Sequence, residues 1–198
     1  MTYNFFATIS RMKYIERWSL MRNSRPENLS EHSLEVAMIA HALCTIGNVR
    51  CGKELDAGKA ALLAVYHDAS EIITGDLPTP VKYYNDDIKT AYKEVETIAL
   101  ERLLEKLPDD LRPSYEAVLY GPDDESEQYL RGLIKAADKI SALIKCIEEE
   151  NAGNREFRSA KETISKTISQ MCEQYPEVDA FMREFIPPYG RTLDELQE

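Results

Sequence analysis

Apolar residues recur at spacings of three and four along most of the chain, and the strict alternation of a half-buried strand is nearly absent. The sequence therefore predicts an all-α protein. The plainest segment runs from about Ser30 to Ile46, where Leu34, Ala37, Met38 and Leu43 form one broad apolar face. Asn28 and Glu31 have the form of a capping box ahead of it, and Gly47-Asn48 is the expected stop. A second helix is expected over about 56–73, with Asp56 as N-cap and Leu62, Leu63 and Tyr66 on its buried side. The run Thr74-Gly75-Asp76-Leu77-Pro78-Thr79-Pro80 then breaks the pattern, because two prolines and a glycine cannot be helical interior. This stiff loop begins three residues beyond Glu71 and is a candidate substrate wall.

Helical periodicity resumes over about 87–107, with Pro108 as its end, and a short helix is expected near 109–120. Gly121-Pro122-Asp123-Asp124 is a polar break. The segment from about Ser126 to Glu150 carries Leu130, Leu133, Ile134, Ala137, Ile140, Leu143, Ile144 and Ile147, the pattern of a heavily buried helix, and Asp138 lies within it. Two further helices, near 156–174 and 177–185, precede Pro187-Pro188 and a polar tail. With 198 residues, no internal repeat and no linker, residues 1–198 read as one domain.

Composition narrows the class. With 43% hydrophobic and 30% charged residues the chain is that of a soluble globular protein. No apolar run approaches the roughly 20 residues of a membrane span, and the N-terminus lacks the pattern of a secretory signal, so a cytoplasmic location with no membrane partner is expected. Cys44, Cys51, Cys146 and Cys172 follow no zinc or disulfide spacing and read as reduced thiols, Cys44 and Cys146 as small core residues. A net charge of −11 argues against a polymeric nucleic acid as partner. It leaves room for a small phosphorylated ligand, since Arg17, Arg22 and Arg25 reverse the sign locally.

The chemistry is carried by scarce residues. There are three histidines, His32, His41 and His67. His67-Asp68 lies at the end of an apolar helix with Glu71 on the next turn, so the three side chains can converge, and a carboxylate there needs neutralising. Imidazole with carboxylate suits a divalent transition metal. His41 is nine residues from His32, on the opposite side of the helix at about 3.6 residues per turn, so both cannot serve one site; His32 is assigned to the metal. Asp138, set among Ile134, Ala137, Ile140 and Ala142, also needs a partner, which is either a metal or a salt bridge to Lys135, Lys139 or a distant arginine.

His32, then His67-Asp68, then Asp138 resembles the His, His-Asp, Asp signature of the HD-domain phosphohydrolases. The phrases Arg17-Trp18-Ser19-Leu20-Met21-Arg22-Asn23, Glu31-His32-Ser33-Leu34, Tyr66-His67-Asp68-Ala69-Ser70-Glu71, Thr74-Gly75-Asp76-Leu77-Pro78-Thr79-Pro80-Val81-Lys82-Tyr83 and Lys135-Ala136-Ala137-Asp138 resemble, more closely, the bacterial 5'-deoxynucleotidases. The resemblance implies an HD-domain helical bundle, a cytoplasmic homodimer, and hydrolysis of deoxyribonucleoside 5'-monophosphates with one divalent ion such as cobalt or manganese. It implies His32, His67, Asp68 and Asp138 as metal ligands, with His32, Asp68 and Asp138 also facing the substrate.

On that reading Glu71 orients or deprotonates the attacking water, and Arg17 clamps the phosphate with two N–H groups. Trp18 packs on sugar or base. Asp76 contacts the sugar or donates a proton to the leaving oxygen, and Leu77, Pro78 and Thr79 complete the wall. Trp18 and the Leu77-Pro78 segment are the candidates for rejecting a 2'-hydroxyl. Two alternatives stand beside this: another HD-domain nucleotide phosphohydrolase or phosphodiesterase, and an idle nucleotide-binding sensor. The shortage of histidines weighs against a two-metal site, and the presence of Glu71 and Arg17 weighs against an idle module.

Overall fold

The computed structural model describes residues 2–82, 84–121 and 124–197, without the side chains of Thr79 and Pro80. Tyr83, Pro122 and Asp123 of the sequence reading thus lie outside the described residues, as does the Thr79 side chain. Among the described residues the elements are helical. They run α1 (Phe5–Ile9), a 3-10 turn (Ser10–Tyr14), α2 (Leu29–Cys51), α3 (Ala57–Tyr66), α4 (Glu71–Thr74), α5 (Thr79–Lys82), α6 (Asp86–Leu104), α7 (Arg112–Leu119), α8 (Glu125–Asn151), α9 (Arg158–Gln174) and α10 (Pro176–Phe185). The extended pairing that occurs is an isolated bridge, Glu16 to Asn28, closing the loop that carries Arg17.

Helix α2 starts where the sequence placed it. The Asn28 side chain accepts from the Ser30 and Glu31 backbone, and Glu31 Oε2 accepts from Asn28 N, completing the capping box. It ends later than expected: Gly47 is helix interior, lying so close to Leu55 and Glu177 that an added Cβ would stand 3.1 Å from Leu55, and Gly52 at φ 65° makes the left-handed stop. The expected inward face is corrected too. Leu34 and Met38 are 60% and 59% exposed, and the buried side carries His32, Ser33, Val36, Ala37, Ala40 and Leu43. Small and polar residues weaken the apolar signal of the side that packs.

The helix expected over about 56–73 is likewise two elements, α3 and α4, separated by a tight turn over 67–70, and Leu62 is exposed. Within the loop expected beyond Thr74, Pro80 is the second residue of the single helical turn α5, in the first turn where a missing N–H costs nothing. The N-terminal helix α1 carried too few residues for a periodicity signal; its buried Phe5 joins Ala69, Leu103, Leu104 and Leu107 in a satellite cluster. The main core is built where α2, α3, α8, α9 and α10 meet, around Leu43, Leu63, Leu133, Ile140 and Val178. Cys44 and Cys146 are buried free thiols within or beside it, as expected.

Helix α8 spans this core and anchors the Arg17 loop. Glu149 accepts from the Ser24 and Arg25 backbone N–H groups and from Asn154 Nδ2, and pairs with buried Lys145, which in turn donates to the Arg25 carbonyl. These bonds take the Glu149 carboxyl down to about 2 against the cost of burial. Truncation would leave Lys145 buried without its counter-charge. Glu149→Ala is therefore expected to lower unfolding stability by about 3 kcal/mol in a urea titration, whereas Arg183→Ala, which removes an exposed pair with Asp179, should cost less than about 1 kcal/mol.

Candidate active site

The turn after α3 sets the first two residues. His67 N, Ala69 N and Glu71 N bond three residues back, to Ala64 O, Tyr66 O and Asp68 O, so the chain is wound more tightly than an α-helix. His67, Asp68 and Glu71 still lie together, as their spacing predicts. His67 Nδ1 lies 2.7 Å from the Ala64 carbonyl. A carbonyl only accepts, so Nδ1 carries the proton and Nε2 is left with a lone pair.

His32 enters from the first turns of α2, fully buried, and Asp138 from the middle of α8. His32 Nε2 is 3.2 Å from Asp138 Oδ1 and 3.6 Å from Asp68 Oδ2, while His67 Nε2 is 3.1 Å from Asp68 Oδ2. One donor atom from each of His32, His67 and Asp68 lies within 4.8 Å of the other two. Asp138 reaches the cluster through His32, and its other oxygen takes Lys139 Nζ at 2.9 Å. The salt-bridge alternative read from the sequence is thus present, and Asp138 lies beside the three-residue cluster. His41 is exposed and remote from this set, as its position nine residues along the helix requires.

The donor set fits a divalent cation. Neither Nε2 has a hydrogen-bond partner although both are buried, and each faces carboxylate oxygen. Two imidazoles with two carboxylates is a donor set suited to a transition metal. Without a cation a proton takes its place. Burial opposes charge on His67, but Asp68 and Asp138 outweigh it and raise its pKa to about 9. For His32 burial wins, reinforced by Arg17, and its pKa falls. Burial also opposes ionisation of Asp138, yet the neighbouring His32 and the charge of Lys139 hold it well below the usual carboxylate range.

Glu71 is buried with Oε2 unpartnered. Burial first, then the charges of Asp68 and Asp76, push its pKa up to about 9, against Lys82 and Arg17. Asp76 is raised in the same way, by burial first and then Asp68, although it faces Arg17 and accepts from Trp18 N at 3.2 Å.

Arg17 is almost covered, and its orientation is set by a residue the sequence reading missed. Glu27 Oε2 accepts Arg17 Nη1 at 2.7 Å and Trp18 Nε1 at 3.1 Å, fixing both side chains with one oxygen. Arg17 Nη2 stands 3.9 Å from Asp138 Oδ1, beyond hydrogen-bond length, and so remains available to an oxyanion. Trp18 is the described non-glycine residue with positive φ, at 57°. Such a backbone costs on the order of 1–3 kcal/mol and persists where surroundings enforce it. Here Asp76, Glu27 and Asn23 bond to it and its ring packs 5.3 Å from that of Phe157.

Beside the cluster lies a cleft of about 620 Å³, walled by Arg17, Trp18, Asp76, Leu77 and Pro78 and by the start of α9, including Ser159, Ala160 and Thr163. Its size suits a nucleotide. The α9 wall gave no sequence signal, because its residues are small and polar. Arg22 and Arg25, which the sequence grouped with Arg17, are exposed and pair instead with Glu156 and Glu31. Ser141 and Glu35, behind His32, were also missed: they are ordinary polar residues inside helices.

Residues 4–189 match the family described as 5'-deoxynucleotidase YfbR-like. A 5'-deoxynucleotidase of Erwinia tasmaniensis is 49% identical over 98% of this chain and 96% of its own length. The 5'-deoxynucleotidase YfbR of Salmonella paratyphi B is 50% identical over the same shares. Among solved structures, an HD-domain phosphohydrolase from Listeria innocua superimposes with a TM-score of 0.79 at 24% identity, covering 98% of this chain and 89% of that one. The cyanophage S-2L HD phosphohydrolase DatZ, solved with dA and one catalytic Zn2+ ion, has a TM-score of 0.66 at 19% identity over 97% and 100%. The fold is that of the HD-domain phosphohydrolases, and this chain belongs to the 5'-deoxynucleotidase YfbR-like family.

Proposed function

We propose that this protein is a metal-dependent 5'-deoxynucleotidase that hydrolyses deoxyribonucleoside 5'-monophosphates to deoxynucleosides and phosphate. The observation that carries the reading is a guanidinium with one free edge, Arg17, fixed between the His32, His67, Asp68 and Asp138 cluster and a nucleotide-sized cleft. The activity named for relatives at about half identity over nearly the whole chain supports it.

His32, His67, Asp68 and Asp138 would hold one divalent ion, which when bound lowers the pKa of a water and polarises a phosphoryl oxygen. Arg17 Nη2 donates to the phosphate and stabilises the charge that grows during transfer, while Nη1 stays locked on Glu27. Glu71 orients the attacking water and takes its proton. Repulsion from Asp68 is among the causes of its high pKa, and a cation on Asp68 would relieve that repulsion, letting Glu71 ionise nearer neutrality. Asp76, on the wall of the cleft and bonded to Trp18 N, serves the leaving oxygen or the sugar. Trp18, held in its strained backbone by Asp76, stands with Leu77 and Pro78 where an added 2'-hydroxyl would lack a partner. Thr79 belongs to the same wall in this reading.

The ion would be cobalt or manganese, the location cytoplasmic and the assembly a homodimer. No helix among the described residues is long and apolar enough to cross a membrane. Exposed Leu34, Met38, Leu62 and Val65 on the neighbouring helices α2 and α3 supply apolar surface for a second copy.

A panel of 5'- and 3'-monophosphates, deoxy and ribo, assayed with cobalt, manganese, magnesium and zinc tests the reading. Phosphate release should be metal-dependent, confined to 5'-monophosphates and strongly biased to deoxyribose, and Glu71→Gln should lower kcat by roughly 10²–10⁴. Equal turnover of ribo and deoxy substrates, or full activity of the Glu71 variant, contradicts it. Ion uptake must also displace the proton on His67. Metal affinity, followed by chelator competition, is expected to climb as pH rises toward about 9 and then level; affinity independent of pH below 9 contradicts the assignment of His67.

A further inference from the structure

A neutral histidine has two tautomers, and only the one protonated at Nδ1 can ligate through Nε2. The backbone makes that choice for His67, through the Ala64 carbonyl. Nothing so one-sided faces His32. Its Nδ1 lies 2.9 Å from Ser141 Oγ, and a hydroxyl can either donate or accept. If Ser141 donated, the imidazole proton would sit on Nε2, directed at Asp138 Oδ1 and Asp68 Oδ2, and the ring would be a hydrogen-bond donor to the carboxylates instead of a ligand beside them.

The hydroxyl proton is committed elsewhere. Ser141 Oγ donates to Glu35 Oε2 at 2.6 Å, a short bond of the charge-assisted kind. With its one proton spent there, Ser141 can only accept from Nδ1–H. His32 and Ser141 are both fully buried, so water does not substitute for the bond between them, and Glu35 is partly covered. Each member sits one turn from a residue of the cluster: Glu35 three residues after His32 on α2, Ser141 three residues after Asp138 on α8.

We propose that Glu35 is a positioning residue: through the Ser141 hydroxyl it fixes the tautomer of His32 and so makes His32 Nε2 a metal ligand. Glu35 touches neither the metal-facing nitrogens nor the cleft beside Trp18. The proposal rests on the one-ion reading of the cluster, and its test involves no substrate.

The 198-residue chain labelled with ¹⁵N-histidine has three rings to resolve, one of them the exposed His41. At a pH where the rings are neutral, the metal-free wild type should show His32 protonated at Nδ1; protonation at Nε2 overturns the proposal without any variant. Glu35→Ala leaves Ser141 in place but frees its proton. It should shift the His32 ring toward the Nε2–H tautomer, leave His67 unchanged, and weaken zinc or cobalt binding by about 10–100-fold in chelator competition. Glu35→Gln keeps an acceptor oxygen for Ser141 and should retain both the tautomer and most of the affinity. Wild-type affinity in Glu35→Ala, lost affinity with an unchanged His32 tautomer, or a Glu35→Gln variant as impaired as Glu35→Ala would each overturn it. A protein that passes these tests yet hydrolyses no nucleotide refutes only the proposed activity.

Discussion

Two imidazole nitrogens with free lone pairs, buried against two aspartates, cannot be left as they are. Lone pairs facing carboxylate oxygens at 3.1–3.6 Å repel unless positive charge lies between them. In the ion-free protein a proton on His67 partly meets this need, which is why its pKa stands near 9 despite burial. A divalent cation meets it more fully, and the other features of the site follow from where that charge must sit. Arg17 is kept from collapsing onto Asp138 by Glu27, and Glu71 is held beside Asp68, where its readiness to ionise depends on the local charge.

One helix carries much of this burden. Along α8, Asp138, Ser141, Lys145 and Glu149 recur at three and four residues and share a face. Asp138 enters the cluster, Ser141 contacts His32 from behind, and Lys145 with Glu149 ties down the loop of Ser24 and Arg25. Lys145 lies 5.6 Å from the Phe157 ring on which Trp18 packs. The candidate metal cluster and the wall of the cleft are thus registered to a single helix that also contributes to the core.

The legible parts of the sequence were those with scarce or patterned residues. Three histidines in the chain allowed each to be weighed, and helical phase correctly set His41 apart from His32. Asn28, Asp56 and Gly52 illustrate what local chemistry can and cannot tell: the two caps were read correctly, but Gly47 drew the stop that belongs to Gly52, because close packing against Leu55 is a tertiary reason for glycine. The face of α2 was misread for a related cause. Its buried side is spent on His32, Ser33 and alanines, so Leu34 and Met38 outside outweighed it. Glu27, Glu35, Ser141 and the α9 wall were silent because their partners are distant in sequence and their residue types are common.

The central claim is one ion held by His32 Nε2, His67 Nε2, Asp68 and Asp138. Crystals of the full chain soaked with manganese or cobalt and measured at the metal's absorption edge address it directly. A single anomalous peak within about 2.0–2.3 Å of two nitrogens and two carboxylate oxygens from those four residues is the predicted result. Two peaks in the site, or a metal bound elsewhere with Asp138 still paired to Lys139 and Arg17 alone, would contradict it.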